Sequence, residues 1–140
     1  MFRSDFGEGD NEIIAYLEAG YKLGKEIIIY GYSHGGAAAV RIANTLGAMH
    51  ITVLEINLYD PVSLGGEFVF KFPNVMKVNN YYQRNSIDGV FWWADNPFKG
   101  SSVSGKFQFP AINNVDLTGK YYSPGVLVNH INIVNHVKNR

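Results

Sequence analysis

Glu26-Ile27-Ile28-Ile29-Tyr30-Gly31-Tyr32-Ser33-His34-Gly35-Gly36-Ala37-Ala38-Ala39-Val40 changes character in its middle. Glu26 to Tyr30 is β-branched and too short for a helix of its own, and a near-continuous apolar run of this kind suits a strand covered on both faces. From His34 the pattern is helical, with Ala37, Ala38, Ala39, Val40, Ile42, Ala43 and Leu46 followed by Gly47 as the expected stop. A central parallel strand that turns abruptly into a helix is the expected core of the fold.

Working outward, Ile51 to Leu58 is again strand-like and closes a strand, helix, strand unit at Asp60-Pro61. Upstream, Asp10 is placed to cap a helix through Ile13, Ile14, Leu17 and Tyr21, with Gly24 as its stop. Downstream, Val75 to Tyr82 alternates as a further strand. The alternation predicts an α/β domain, a parallel sheet flanked by helices, over residues 1–140. From Gln83 to about Ser123 the pattern weakens into Gly, Ser, Asn and aromatics, read as long aromatic-rich loops or a small hairpin layer. Val126-Leu127-Val128 then reads as a short strand, followed by Asn129-His130 and a short helix over Ile131 to Val137.

Bulk properties narrow the partners. With 140 residues and 46% apolar composition, the chain is the size of one domain with a core. Twelve Lys and Arg balance twelve Asp and Glu without a long basic stretch, which argues against nucleic acid. Cysteine is absent, which removes disulfides, thiolate zinc sites and cysteine nucleophiles. Met1 to Asp10 lacks the apolar centre of a signal peptide, and no apolar run approaches the roughly 20 residues of a membrane span. The compartment stays open.

Gly31-Tyr32-Ser33-His34-Gly35 fits G-x-S-x-G in the context that motif requires, after a strand and before a helix. A sharp turn there exposes the serine hydroxyl, and Gly31 and Gly35 are expected to supply room for it. The helix N-terminus would stabilise an oxyanion, with the backbone NH of His34 as first donor. Serine needs a base and an orienting acid, in the chain order Ser, Asp or Glu, His. Asp60, just past the next strand, lies on the same sheet edge as Ser33 if the strands are parallel. Glu55 lies within a strand, and Asp88, Asp95 and Asp116 fall in loops. His130 follows the last strand and is preferred as base over His136, which falls inside the terminal helix. The bland reading is a well-packed glycine-rich turn, an Asp-Pro turn and a structural histidine.

The blocks Gly31-Tyr32-Ser33-His34-Gly35-Gly36, Leu58-Tyr59-Asp60-Pro61-Val62, Asn80-Tyr81-Tyr82-Gln83 and Asn129-His130-Ile131-Asn132-Ile133 resemble, in this order, the lipase-like α/β-hydrolases of bacteria. These include lipase modules attached to secreted effectors and polymorphic toxins. The resemblance runs from about Glu26 to His136. It implies a minimal or truncated α/β-hydrolase fold and a serine esterase or lipase with Ser33 as nucleophile, Asp60 as acid and His130 as base. It also implies an ester or lipid substrate, no cofactor, and structural support from the Asn-Tyr-Tyr-Gln strand. Such enzymes have further strands before the nucleophile strand, where only one helix precedes Glu26 here. A second oxyanion donor would then come from Phe6 to Asp10 or a loop, or the missing strands from elsewhere. An unpaired sheet edge would invite a partner chain. A degenerate or split module acting in binding or assembly, and an acyltransferase with the same three residues, are the alternatives.

Weaker signals remain. Gly100-Ser101-Ser102-Val103-Ser104-Gly105-Lys106 spaces its glycines and lysine like a phosphate loop, but Phe107 replaces the magnesium-binding Ser or Thr, and a flexible loop is the expectation. Tyr32, Tyr82, Trp92 and Trp93, within an aromatic-rich set that includes Tyr81, Phe91 and Phe98, are candidates for a substrate pocket, against the default of core packing. Four histidines without HExxH spacing give no case for metal.

Overall fold

The computed structural model describes residues 9–62, 68–85, 99–106 and 111–139. In chain order these form α1 (Asp10–Lys22), β1 (Ile28–Tyr32), α2 (His34–Ala48), β2 (Val53–Tyr59), β3 (Val69–Phe70), β4 (Val75–Tyr82), β5 (Ser104–Gly105), β6 (Ala111–Asp116), β7 (Tyr121–Ser123), β8 (Val126–Leu127) and α3 (Ile133–Lys138). β1, β2, β4 and β6 pair in that order as a parallel sheet. β3 and β5 form a small parallel pair, and β7 and β8 an antiparallel one. The chain is thus a mixed α/β protein with a parallel sheet. Among the described residues, no helix is long and apolar enough to cross a membrane.

The sheet buries apolar side chains on both faces. On one face Ile56, Leu58 and Val78 meet Ala39, Val40, Ile42, Ala43 and Leu46 of α2, with Ile13, Ile14 and Leu17 of α1 packed against the same cluster. The small alanines let the helix lie close to the strands. On the other face Tyr59 clusters with Leu117, Val128 and Ile133, joined by Tyr81 and Val115 and by Val134 and Val137 of α3. The second cluster brings the far end of the chain onto the sheet.

Several expectations change. β1 begins later than the sequence suggests and, among the described residues, is an edge strand, not a central one: Ile28, Tyr30 and Tyr32 are exposed. The three isoleucines divide, with Ile27 in the core, Ile29 packed against it and Ile28 facing out, which an unbroken apolar run does not reveal. Asp10 does not cap α1; Gly9 precedes the helix, and Asp10 accepts from Arg41 Nε at 3.0 Å. α2 runs through Gly47, where a Cβ would sit 2.5 Å from Phe72 Cβ, so that glycine serves packing and not termination. Residues 83–123, read as loops or a hairpin layer, contribute the fourth sheet strand, β6. Its Asn113 and Asn114 stand opposite Asn79 and Asn80 of β4, and Asn80 Nδ2 donates to Asn114 Oδ1 at 2.8 Å. Amides that look like loop chemistry here pair across strands. The strand at Val126 lies outside the main sheet.

The turn between β1 and α2 has little space, but not where the motif implies. A Cβ at Gly31 would lie 2.6 Å from the Gly35 carbonyl oxygen and 2.8 Å from Gly36 Cα. One at Gly36 would lie 2.6 Å from Pro61 Cβ, so the first turn of α2 rests directly on the segment after β2. One at Gly35 meets nothing within 4 Å among the described residues. Gly31→Ala should therefore lower the unfolding free energy by about 1–3 kcal/mol, as overpacking does. Gly35→Ala, inside a helix, should be neutral or stabilising by up to about 1 kcal/mol. Urea denaturation of both variants checks the pair.

Candidate active site

Parallel register brings the ends of three strands together. Tyr32 pairs with Tyr59 and Tyr59 with Tyr81, so β1, β2 and β4 finish side by side. Ser33 follows β1 and Asp60 follows β2, both in left-handed backbone conformations with φ of 57° and 51°. Such backbone in a non-glycine residue costs about 1–3 kcal/mol and persists where surrounding bonds hold it. Here Ser33 N donates to Tyr59 O at 3.1 Å, Asp60 N to Tyr81 O at 2.7 Å, and Val62 N to Ser33 O at 3.0 Å. The two kinked residues are thereby tied to one another.

His130 reaches this edge from between β8 and α3. Its Nε2 lies 3.0 Å from Ser33 Oγ and its Nδ1 2.6 Å from Asp60 Oδ2. Asp60 is 0% exposed and His130 5%. Asp60 also accepts from Gln83 N at 3.0 Å and Gln83 Nε2 at 2.8 Å. A carboxylate with several N–H donors is an ionised acceptor, so Nδ1 carries the imidazole proton and Nε2 turns its lone pair to the serine. Ser33 Oγ does not cap α2. Its hydroxyl is directed to the imidazole, and the order Ser33, His130, Asp60 is a continuous chain of hydrogen bonds.

Tyr32 steadies the imidazole. Its ring stacks on His130 with centroids 5.0 Å apart and 26° between planes, and its hydroxyl donates to the His130 carbonyl at 2.7 Å. Burial, and secondarily the charge of Asp60, raises the Tyr32 hydroxyl above its ordinary pKa. Tyr59 is raised by burial first and then by Tyr81, Tyr30 and Glu55. Both phenols hold their protons more firmly folded than unfolded, so this contribution is intact below about pH 10 and is lost as pH rises beyond it.

The remaining sequence candidates are distributed as follows. His34 opens α2 directly after Ser33, and Gly36 N, two residues on, donates to Ser33 O at 2.9 Å. Tyr82 ends β4 half-buried, and its carbonyl accepts from Leu117 N. Trp92 and Trp93 lie outside the described residues, as do Asp88, Asp95 and the stretch 6–8; Gly9 and Asp10 belong to the start of α1. Glu55 accepts from Asn79, and Asp116 accepts from Thr118 N in a local turn. His136 sits in α3 against Tyr122. The stretch 100–106 is not itself helical: Ser101 O accepts from Asn80, and Val103 exchanges two hydrogen bonds with Asn114. Among the described residues no three His, Asp or Glu side chains converge as a metal ion would require. Gln83, whose importance the sequence reading left at structural support, is a direct partner of the acid. Its signals were its place in the Asn-Tyr-Tyr-Gln block and its position, one residue past the third parallel strand.

No family model, curated protein or solved structure matches this chain.

Asp60→Ala leaves buried donors without an acceptor and should lower stability by about 1–3 kcal/mol. Tyr32→Phe keeps the ring and loses one hydrogen bond, at about 0.5–1.5 kcal/mol. Thermal unfolding at neutral pH should rank them in that order.

Proposed function

We propose that this chain is a serine hydrolase of the esterase or lipase type, built on a reduced α/β-hydrolase fold like that of the bacterial lipase-like proteins its motifs resemble. The observation that carries the reading is the Asp60–His130–Ser33 chain, with contacts of 2.6 and 3.0 Å and a fully buried acid. Well-packed turns need a serine, a histidine and an aspartate no more than other polar residues, and hydrolysis requires this order of contacts.

In this reading Ser33 Oγ attacks the ester carbonyl while its proton passes to His130 Nε2. Asp60 stabilises the resulting imidazolium without taking the proton. Negative charge on the carbonyl oxygen is met by the first NH groups of α2, beginning with His34. Collapse breaks the bond to the alcohol, which takes the proton back from His130, and leaves the acyl group on Ser33. Water, activated by His130, then releases the acid. An acyltransferase would differ only in the acceptor of this last step.

A second reading, a split or degenerate module that binds a partner chain, is favoured by one observation: β1, which leads into Ser33, has exposed Ile28 and Tyr30 and no outer neighbour among the described residues. A fluorophosphonate probe separates the two. The hydrolase reading expects a covalent adduct on Ser33 by mass spectrometry, absent in Ser33→Ala and slowed at least about 100-fold in His130→Ala. A folded wild-type chain that takes no label would overturn it in favour of the binding module.

A further inference from the structure

Gln83 lies immediately beyond β4, is completely buried, and touches both oxygens of Asp60: its backbone NH donates to Oδ1 and its Nε2 to Oδ2. The direction of its side-chain amide is fixed from the other side. Gln83 Oε1 accepts from Asn85 N at 2.7 Å, and a backbone NH can only donate. Oε1 must therefore face Asn85, and the NH2 group is left to face the carboxylate.

The link continues toward the base. Asn85, also buried, donates through Nδ2 to Val128 O at 2.8 Å, two residues before His130, and accepts from Gly119 N through Oδ1 at 3.0 Å. A path thus runs from the acid through Gln83 and Asn85 to the segment that presents the imidazole. Gly100 closes over the same carboxylate, since a Cβ there would fall on Asp60 Oδ1, and Gly100 N donates to Gln83 O at 2.9 Å.

We infer that Gln83 is a positioning residue of the Ser33–His130–Asp60 site: it keeps the Asp60 carboxylate aimed at His130 Nδ1 and takes up part of its charge, and so governs how tightly the imidazole holds a proton. The inference rests on the hydrolase reading for its catalytic consequence but not for its electrostatic one. Among the described residues, the groups facing the imidazole include Asp60 from the end of β2, Tyr32 from β1 and Ser33. Asp60 supplies the charge. With one donor fewer, that charge is less well satisfied by Gln83 and falls more strongly on the imidazolium.

The test is Gln83→Met, which keeps the length of the side chain and removes the donor. The ring protons of His130 are followed by NMR across pH, beside the rate of Ser33 labelling by the fluorophosphonate. In the variant the His130 titration should move to higher pH by up to roughly one unit, the scale of a lost hydrogen bond to a charged group shared with its neighbour. The acid limb of the labelling rate should move with it, and labelling at neutral pH should fall by up to about tenfold. A role limited to packing would leave the titration in place, and an unmoved titration in a folded variant overturns the inference.

If Gln83→Met does not fold, Gln83→Leu replaces it. It too lacks the donor and should move the titration in the same direction, and absence of that movement overturns the inference equally. The two readings fail separately. A shifted titration in a chain whose wild type takes no label keeps Gln83 as the positioner and sinks the hydrolase. Labelling with an unmoved titration does the reverse.

Discussion

A carboxylate shut away from water is the constraint around which this molecule is arranged. Taking such an ion out of water costs several kcal/mol unless donors replace the solvent. Asp60, with no exposed surface, gets its donors from Gln83 after β4 and from His130 before α3. Satisfying one side chain therefore fixes where three distant stretches of chain must meet. Gly100 completes the enclosure because any side chain there would collide with the carboxylate. The parallel sheet makes the meeting possible by ending β1, β2 and β4 at one level.

Backbone strain at Ser33 and Asp60 has the same origin. Both residues leave their strands with positive φ, one turning into α2 and the other into Pro61. The strain is held by hydrogen bonds between the strand ends and by contact between Gly36 and Pro61. Neither kink stands alone, because each supplies the acceptor or the surface that supports the other. Tyr32, with its ring on His130 and its hydroxyl on the His130 backbone, ties the third member to the same edge.

The α/β architecture and the strand-turn-helix around Ser33 were legible because local pattern determines them: an isoleucine run, a glycine pair and an alanine-rich helix. That Ser33, Asp60 and His130 come to one sheet edge was expected from strand ends and chain order, and His130 touches both of the others. What the sequence hid depends on contacts remote in the chain. β6 carries Asn113 and Asn114, which score as loop residues until Asn79 and Asn80 are set opposite them. The position of β1 at the edge is a property of sheet order, to which a run of apolar residues is indifferent. Gly47 reads as a helix stop only until Phe72 is packed on it. Gln83 stands in the Asn-Tyr-Tyr-Gln block, but its contact with the acid exists only once Asp60 is buried beside it.

His130 is 97 positions from Ser33 and 70 from Asp60 along the chain. The strand-helix-strand unit that orients the serine and the acid is local, whereas the contact with the imidazole closes almost the whole chain. Long loops close late, and synthesis proceeds from the N-terminus. The contact between Ser33 and His130 can thus form only after synthesis has passed Asp60 by 70 residues.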